Sequence, residues 1–349
     1  MSAGERSIAT RNQPDEVDVY DEPVPLSELD FTDLYIAESG AALIRGLSGE
    51  KGPLIEVPPG VVSDLEALHK RVCGIGQLES EFPLDFGDVR YRVSKIEGQD
   101  GVWYAMRRLM WPIPRFSTFG MQKAVYQELG RLGKRPNRGM ILVAGPTGNG
   151  KTTTASSLLQ EYLTYYGDIA ITIEDPPELR MEGTYGRFGQ CFQTKVEDGN
   201  FTKPLRAALR YSPRYIFLGE IRDPDAASEA LRAAISGHVV IATIHGGSIQ
   251  EAITSVIKLV SARLDIELAR QMLSEGLAAV IYQELKTYVN KDTKATSRRP
   301  AMRTLFFEGN QGLRSKIREG RTELLQTEIE AQHERLVRGQ PPVPQRKEG

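Results

Sequence analysis

Cysteine is scarce in this chain, and its few cysteines are poorly spaced for joint chemistry. Cys73 and Cys191 are the 2 thiols among 349 residues, and they lie far apart in the sequence. This excludes a disulfide framework and a zinc site of the usual cysteine spacing. We expect both thiols to be ordinary packed side chains and the protein to work in a reducing, cytoplasmic environment.

A strong charge of one sign and long apolar runs are lacking as well. The formal net charge is −2, which argues against a dedicated nucleic-acid binder. The longest apolar runs, near 140–144 and 239–244, fall far short of the ~20 residues that span a bilayer. The first residues are polar and acidic, without the apolar stretch of a secretion signal. We therefore expect any membrane association to come through partners or a surface patch.

The order of predicted elements divides the chain into two domains with polar ends. Alternating strands around a helical stretch predict a first, α+β domain, and two prolines near residue 113 interrupt that pattern. Strands that alternate with helices follow, which predicts a largely parallel α/β sheet. The early strands are predicted at 31–37, 41–45, 89–94 and 102–109, with a helix at 61–72. The predicted segments are a flexible acidic arm over 1–28, an α+β domain over 29–110, a linker over 111–118, an α/β domain over 119–333 and a flexible tail over 334–349.

Residues 145–152 read G-P-T-G-N-G-K-T and match the P-loop pattern in full. An apolar strand precedes them and a helix is predicted over about 151–165, so the positive end of the helix faces the bound anion. The glycines let backbone N–H groups approach phosphate oxygens, Lys151 reaches the β- and γ-phosphates, and the Thr152 hydroxyl is placed to ligate Mg²⁺. The predicted ATP-binding residues are Gly145, Pro146, Thr147, Gly148, Asn149, Gly150, Lys151, Thr152 and Thr153.

Three apolar strands after the P-loop each end in ionisable groups. The strand at 169–173 is followed by Glu174 and Asp175, the strand at 215–219 by Glu220, and the strand at 238–244 by His245. In parallel sheets, ligands bind at the carboxyl ends of the strands, so these groups should meet at one edge. A single acidic residue after a strand could equally be a helix cap. All of them in one chain with a P-loop predict catalysis.

Each of these groups has a predicted role. Glu220 is the best candidate for the carboxylate that orients or deprotonates the attacking water. Gly219 stands where many P-loop enzymes have an acidic residue, so we expect Mg²⁺ to rely on Thr152, water and Glu174 or Asp175. His245 could contact the γ-phosphate, or it could be a hydrogen-bonded structural histidine.

Four motifs in this order resemble those of the ATPases of type II and type IV secretion and of type IV pili. That family has a P-loop, an aspartate box, an atypical Walker B motif and a histidine box. The corresponding sequences here are I-T-I-E-D-P-P-E at 171–178, Y-I-F-L-G-E-I-R-D at 215–223 and G-H-V-V-I-A-T-I-H-G-G-S at 237–248, after the P-loop. The resemblance covers about 120–285.

The resemblance implies a RecA-like P-loop ATPase domain preceded by a smaller, PAS-like α+β domain. It further implies a ring hexamer that binds ATP between the two domains and a neighbouring subunit and docks on inner-membrane platform proteins. Arginines of the N-terminal domain would contact the phosphates, and Arg222 competes with them for this role. The N-terminal candidates are Arg90, Arg92, Arg107 and Arg108.

Two differences from the pilus motors of this family bear on which secretion or pilus system the protein serves. Ser212-Pro213-Arg214 replaces the Asp-Pro-Asp run of the pilus motors, and the end of the chain, from 314–320 onward, is charged and short. We therefore favour conjugation or type IV secretion over pilus retraction.

Two other functions stay open at this point. A RecA-like nucleic-acid translocase would use a basic, aromatic path, and Arg206, Arg210 and Arg214 recur every four residues beside Tyr211 and Tyr215. An assembly platform that binds ATP without turnover would not need both Lys151 and Glu220. Direct nucleic-acid binding is not expected.

Overall fold

The computed structural model describes residues 24–48, 52–109, 112–196, 199–289 and 296–344. The chain forms two compact units, the first ending at Arg108 and the second beginning at Leu109. Within the described ranges, none of the helices combines the length and apolarity needed to cross a membrane.

The first unit is a six-stranded sheet with one helix, in the order β3-β2-β1-β6-β5-β4. Its strands are antiparallel where β1 meets β2 and β6, where β2 meets β3 and where β4 meets β5. Alternate strand residues such as Tyr91 and Met106 pack with Leu68 and Val72 of the helix. The elements are β1 Asp33–Ala37, β2 Ala42–Arg45, β3 Leu54–Glu56, α1 Val62–Gly76, β4 Glu81–Phe86, β5 Val89–Gly98 and β6 Gly101–Leu109.

The strands and the helix predicted for this unit are confirmed within a few residues, but its start differs from the prediction. Leu26 and Leu29 are buried in the core, and the Leu26 amide donates to Asp64 Oδ2 at 2.8 Å. The predicted acidic arm 1–28 is therefore wrong for residues 24–28, because Leu26 and the half-buried Val24 contribute apolar surface to the core. Residues 1–23 of the predicted arm lie outside the described residues.

The second unit is an eight-stranded sheet in the order β14-β13-β7-β12-β11-β8-β10-β9. The six central strands, from β13 to β10, are parallel, and one antiparallel strand flanks each side. The strands are β7 Gly139–Gly145, β8 Asp168–Glu174, β9 Gly183–Tyr185, β10 Gly189–Lys195, β11 Tyr215–Leu218, β12 Val239–His245, β13 Leu277–Val289 and β14 Thr296–Phe306. The predicted parallel α/β sheet is confirmed.

Helices cover both faces of this sheet. In β7, Met140 and Leu142 belong to one apolar cluster, and Ile141 and Val143 belong to another. A strand buried on both faces has a continuous apolar sequence, which explains M-I-L-V-A. The helices are α2 Lys123–Leu132, α3 Lys151–Tyr166, α4 Thr202–Ala208, α5 Pro224–Ile235, α6 Ile249–Ser261, α7 Ile266–Gly276, α8 Gln311–Arg318 and α9 Leu325–Val337.

Two predicted boundaries of this unit are wrong. Ile113 and Phe116, inside the predicted linker 111–118, are buried in the core beside α3, so this segment is part of the second unit from residue 112 onward. Helix α9 continues to Val337 and buries Leu336, so the predicted tail 334–349 is helical at its start. Residues 110, 111 and 345–349 lie outside the described residues.

Candidate active site

The P-loop connects the end of β7 to the first turn of α3. Gly148 and Gly150 both have φ of 74°, a backbone conformation that favours glycine. The Lys151 side chain is 8% exposed, and its Nζ donates to the Pro146 carbonyl at 3.0 Å. Burial lowers the pKa of Lys151, whereas the nearby carboxylates of Glu220 and Glu178 raise it. The predicted phosphate-binding residues therefore form one turn around a lysine that has acidic neighbours.

His245 lies next to the P-loop because β12 is the parallel neighbour of β7. The register pairs His245 with Gly145, where both strands end. His245 Nε2 lies 2.9 Å from Glu220 Oε1, and its Nδ1 lies 3.4 Å from Thr147 Oγ1. A carboxylate only accepts hydrogen bonds, so Nε2 carries the hydrogen in this contact. The histidine therefore bridges the P-loop and the predicted catalytic carboxylate.

Glu220 follows β11 and the intervening Gly219. Its second oxygen, Oε2, accepts hydrogen bonds from Arg222 Nε at 2.7 Å and from the Arg222 terminal nitrogen at 2.6 Å. The sequence leaves open whether Arg222 or the N-terminal arginines would contact the phosphates. The structure instead places its guanidinium on Glu220, so both oxygens of the predicted base have partners.

Glu174, at the end of β8, is 2% exposed. Its burial raises its pKa to about 7, although a hydrogen bond from Gln193 opposes this shift. Gln193 Nε2 donates to Glu174 Oε1 at 2.8 Å. A Cβ atom on Gly219 would lie 3.3 Å from Glu174 Cγ, so the side chain of Glu174 lies directly beside the glycine that precedes Glu220. Asp175, by contrast, is exposed.

The surroundings of the P-loop fit a divalent cation bound together with nucleotide. Thr152 is half-buried in the first turn of α3. The carboxylates of Glu220, Asp175 and Glu178 all act on the charge of Arg222. Among the described residues, no group of three or more His, Cys, Asp or Glu side chains is placed to hold a metal ion. Mg²⁺ usually takes one or two protein ligands and otherwise binds water and substrate phosphates, so a site for it does not require such a group.

The four N-terminal arginines do not share one face of their sheet. Arg90, Arg92 and Arg107 lie on the face opposite α1, with carboxylate oxygens at 3.8, 3.7 and 2.9 Å on Asp85, Glu81 and Asp33 respectively. Arg108 lies on the core side, where it donates to the carbonyls of Ser27 and Leu29 and stacks over Phe31 at 5.3 Å. The structure therefore separates Arg108 from the other three.

The basic cluster that would serve a nucleic-acid translocase does not form. Arg214 is 7% exposed and donates to the carbonyls of Gly237 and Asn137. Arg206 is paired with Glu229 at 2.7 Å, and Tyr215 is buried. Two of the three arginines are thus engaged by the protein itself.

Sequence reasoning missed two glutamines of the site. Gln193 contacts Glu174, and Gln283 of β13 contacts the P-loop at Asn149. Gln193 lies in a strand of mixed polarity, whereas the amide of Gln283 interrupts the apolar run at the start of β13. Such a residue needs buried partners, which is the signal that could have identified it.

A P-loop between a parallel strand and a helix, with polar groups at the neighbouring strand ends, defines a P-loop α/β protein. The chain belongs to the family described as Type II/IV secretion system protein, whose profile matches residues 61–342. This confirms the resemblance inferred from the four motifs.

Relatives in this family include secretion and pilus proteins. The chain is 37% identical over 226 residues to the "Putative type II secretion system protein E" of Escherichia coli K12, covering 64% of this chain and 43% of that protein. It is 32% identical over 281 residues to the "Type IV pilus retractation ATPase PilT" of Pseudomonas aeruginosa, covering 74% and 78%. A crystal structure of the pilus retraction motor PilT with bound ADP has a TM-score of 0.69 at 27% identity, covering 90% and 88%. The chain spans less than half the length of the first relatives it matches.

Proposed function

We propose that this chain is a Mg²⁺-dependent ATPase that drives conjugation or type IV secretion, or the assembly or retraction of a pilus. The observation that carries the proposal is the contact chain from Thr147 through His245 to Glu220. It links the loop that would hold the phosphates to the carboxylate that would activate water. The names of the relatives, which include a secretion protein and a pilus retraction ATPase, support the same activity.

In this mechanism Glu220 is the general base and Lys151 is the cation that meets the β- and γ-phosphates. Their carboxylate and ammonium groups are already electrostatically coupled. His245 and Arg222 hold the Glu220 carboxylate from two sides, which fixes its orientation toward the attacking water. Thr152 with Glu174 or Asp175 would hold Mg²⁺, which neutralises phosphate charge when bound. Nucleotide at the P-loop would be sensed through Thr147 and His245.

We infer the finer architecture from the family. The second unit would be a RecA-like domain and the first a PAS-like domain, and copies would assemble into a hexameric ring. Arg90, Arg92 or Arg107 would complete the site, since a suitably placed arginine is worth about 10³–10⁵ in rate in phosphoryl transfer. The ring would work in the cytoplasm, docked on platform proteins of the inner membrane. The departures at Ser212-Pro213-Arg214 support conjugation or type IV secretion over retraction.

Phosphate release from ATP by the purified full chain tests the activity. We expect turnover that needs Mg²⁺ and stops when a chelator is added. Lys151→Ala should abolish turnover and weaken nucleotide binding, because the loop loses its cation for the β- and γ-phosphates. Lys134→Ala, at an exposed lysine of the same unit, is the matched control. ATP binding without turnover in the wild type would instead favour an assembly platform.

A further inference from the structure

Strand β13 continues past the end of its parallel neighbour β7. The register between them pairs Ala279 with Ile141 and reaches Tyr282 opposite Ala144. The next residues of β13 therefore run alongside the P-loop rather than alongside a strand. A strand that extends in this way can offer both backbone and side-chain groups to the loop.

The side-chain amide of Gln283 forms two hydrogen bonds, one with the P-loop and one with helix α3, which follows the loop. Its Nε2 donates to the Asn149 carbonyl at 2.5 Å, and its Oε1 accepts a hydrogen bond from Thr154 Oγ1 at 2.6 Å. The side chain is 1% exposed. Such a buried amide is held in one orientation, because turning it over would place its oxygen against the Asn149 carbonyl, acceptor to acceptor.

Two glycines of the P-loop are fitted against the same residue. A Cβ atom on Gly145 would lie 2.3 Å from the Gln283 carbonyl oxygen, and one on Gly150 would lie 3.2 Å from Gln283 Nε2. The loop thus packs on Gln283 at its first and at its last glycine. Only residues without a side chain allow this approach at Gly145.

A second contact repeats the attachment two residues further along β13. The Leu285 amide donates to Asn149 Oδ1 at 2.7 Å, and Asn149 Nδ2 donates to the Thr147 carbonyl at 3.2 Å. Asn149 is therefore fixed through both its backbone and its side chain. The N–H groups that would face the phosphates belong to this same turn.

We propose that Gln283 is a positioning residue for the nucleotide site, which holds the P-loop in its phosphate-binding shape before nucleotide arrives. The proposal rests on the proposed ATPase function. A loop that is already ordered loses less conformational entropy when it binds, so the contacts of Gln283 should appear as nucleotide affinity. They reach the loop from β13, which lies on the opposite side of β7 from the strands that lead to His245 and Glu220, so the chemical step should be less affected.

Binding of a fluorescent, non-hydrolysable ATP analogue by the full chain is the test. Gln283→Leu keeps the approximate volume and removes both hydrogen bonds, so we expect affinity to fall about tenfold or more. At saturating ATP, turnover should fall by a smaller factor. Gln271→Leu, at an exposed glutamine of α7, should bind like the wild type.

A second pair of variants keeps the proposal testable if Gln283→Leu does not fold. The Thr154 hydroxyl donates a hydrogen bond to Gln283. Thr154→Val replaces this hydroxyl with a methyl group, whereas Thr154→Ser retains it. We expect the analogue's affinity to fall in the valine variant and to stay close to wild type in the serine variant. A merely structural role would lower the melting temperature without nucleotide while leaving analogue affinity in the cold unchanged.

The outcomes separate this role from the proposed function. If the wild type binds the analogue, and the folded Gln283→Leu and Thr154→Val variants bind it equally well, the positioning role is overturned and the ATPase function stands. If the wild-type chain does not bind the analogue at all, the ATPase function fails and the positioning role fails with it.

Discussion

His245 Nε2 lies 2.9 Å from Glu220 Oε1, across the carboxyl ends of two adjacent parallel strands. The sequence left two roles open for this histidine, a phosphate sensor or a structural residue. Its contact with Thr147 of the P-loop favours the first, because one ring then touches both the loop and the predicted base. Neither contact is part of the regular hydrogen bonding of the sheet.

Replacing His245 should remove the contact that links Thr147 of the P-loop to Glu220. We expect His245→Ala to lower turnover by about 10²-fold or more, within the range found for loss of a single polar group in a catalytic site, while ATP-analogue affinity changes much less. His238→Ala is the matched control at the opposite end of the same strand, where Nδ1 contacts the Pro213 carbonyl at 2.7 Å. If His245→Ala hydrolyses ATP as fast as the His238→Ala control, His245 has a structural role.

Glu220→Gln should bind ATP and hydrolyse it poorly. The amide keeps the shape of the side chain but cannot accept a proton, and loss of a general base typically costs about 10²–10⁴-fold. Single-turnover phosphate release and analogue binding, measured on the same preparation, separate the two effects. Glu275→Gln, at an exposed glutamate of α7, serves as the control. If Glu220→Gln is well folded and has full turnover, Glu220 is not the general base, and Glu174 or Asp175 takes that role.

The raised pKa of Glu174 predicts a pH-dependent stability. Burial raises the pKa of its carboxyl to about 7 in the folded chain, from 4.5 for an ordinary glutamate. The folded state therefore binds more protons than the unfolded state between these values, so this residue lowers stability as pH rises from about 4.5 to 7. Glu174→Gln removes the effect, and its free energy of unfolding relative to wild type should rise by up to about 2.5 kcal/mol between pH 5 and pH 8.

Urea unfolding at pH 5 and pH 8 measures this difference. Asp175→Asn removes a neighbouring carboxylate that is exposed, and it controls for the change in net charge. The stability difference between Asp175→Asn and wild type should vary less with pH. A Glu174→Gln difference that is the same at both pH values would show that the carboxyl of Glu174 is not destabilised by burial.

The sequence predicted those parts of the site that follow from local pattern. The P-loop, Glu220 and His245 each come directly after an apolar run, and parallel strands bring such positions to one edge. Gln283 could not be placed in this way, because it meets Asn149 across 134 positions of sequence and only the pairing of β13 with β7 brings them together. Long-range register of this kind is not encoded in a local period.

The predicted segment boundaries are wrong for a related reason. The polar or proline-rich stretches 1–28, 111–118 and 334–349 are predicted as an arm, a linker and a tail, although each contains an apolar residue that the core uses: Leu26, Ile113 and Leu336 respectively. One leucine among polar residues gives no periodic signal, yet its burial still stabilises the fold. The arginine pair at 107 and 108 could have been divided from sequence alone, since adjacent strand residues point to opposite faces.

The last prediction concerns the N-terminal arginines that would complete the site, among which Arg108 lies on a different face from the other three. Arg90, Arg92 and Arg107 share the face opposite α1, and Arg107 lies 2.9 Å from Asp33. If the ring forms as proposed, alanine at one or two of these three should reduce turnover strongly while ATP-analogue affinity is retained, because an arginine of this kind acts on charge that develops in the transition state.

Arg108→Ala should behave differently from the other three variants. Its guanidinium donates to the carbonyls of Ser27 and Leu29, so its loss should cost about 1–3 kcal/mol of stability. Turnover per folded molecule should change little. Thermal unfolding, analogue binding and phosphate release on all four variants distinguish these patterns. Full turnover in the Arg90, Arg92 and Arg107 variants, or in residues 109–349 alone, would contradict the prediction, because the site would then be complete without the N-terminal unit.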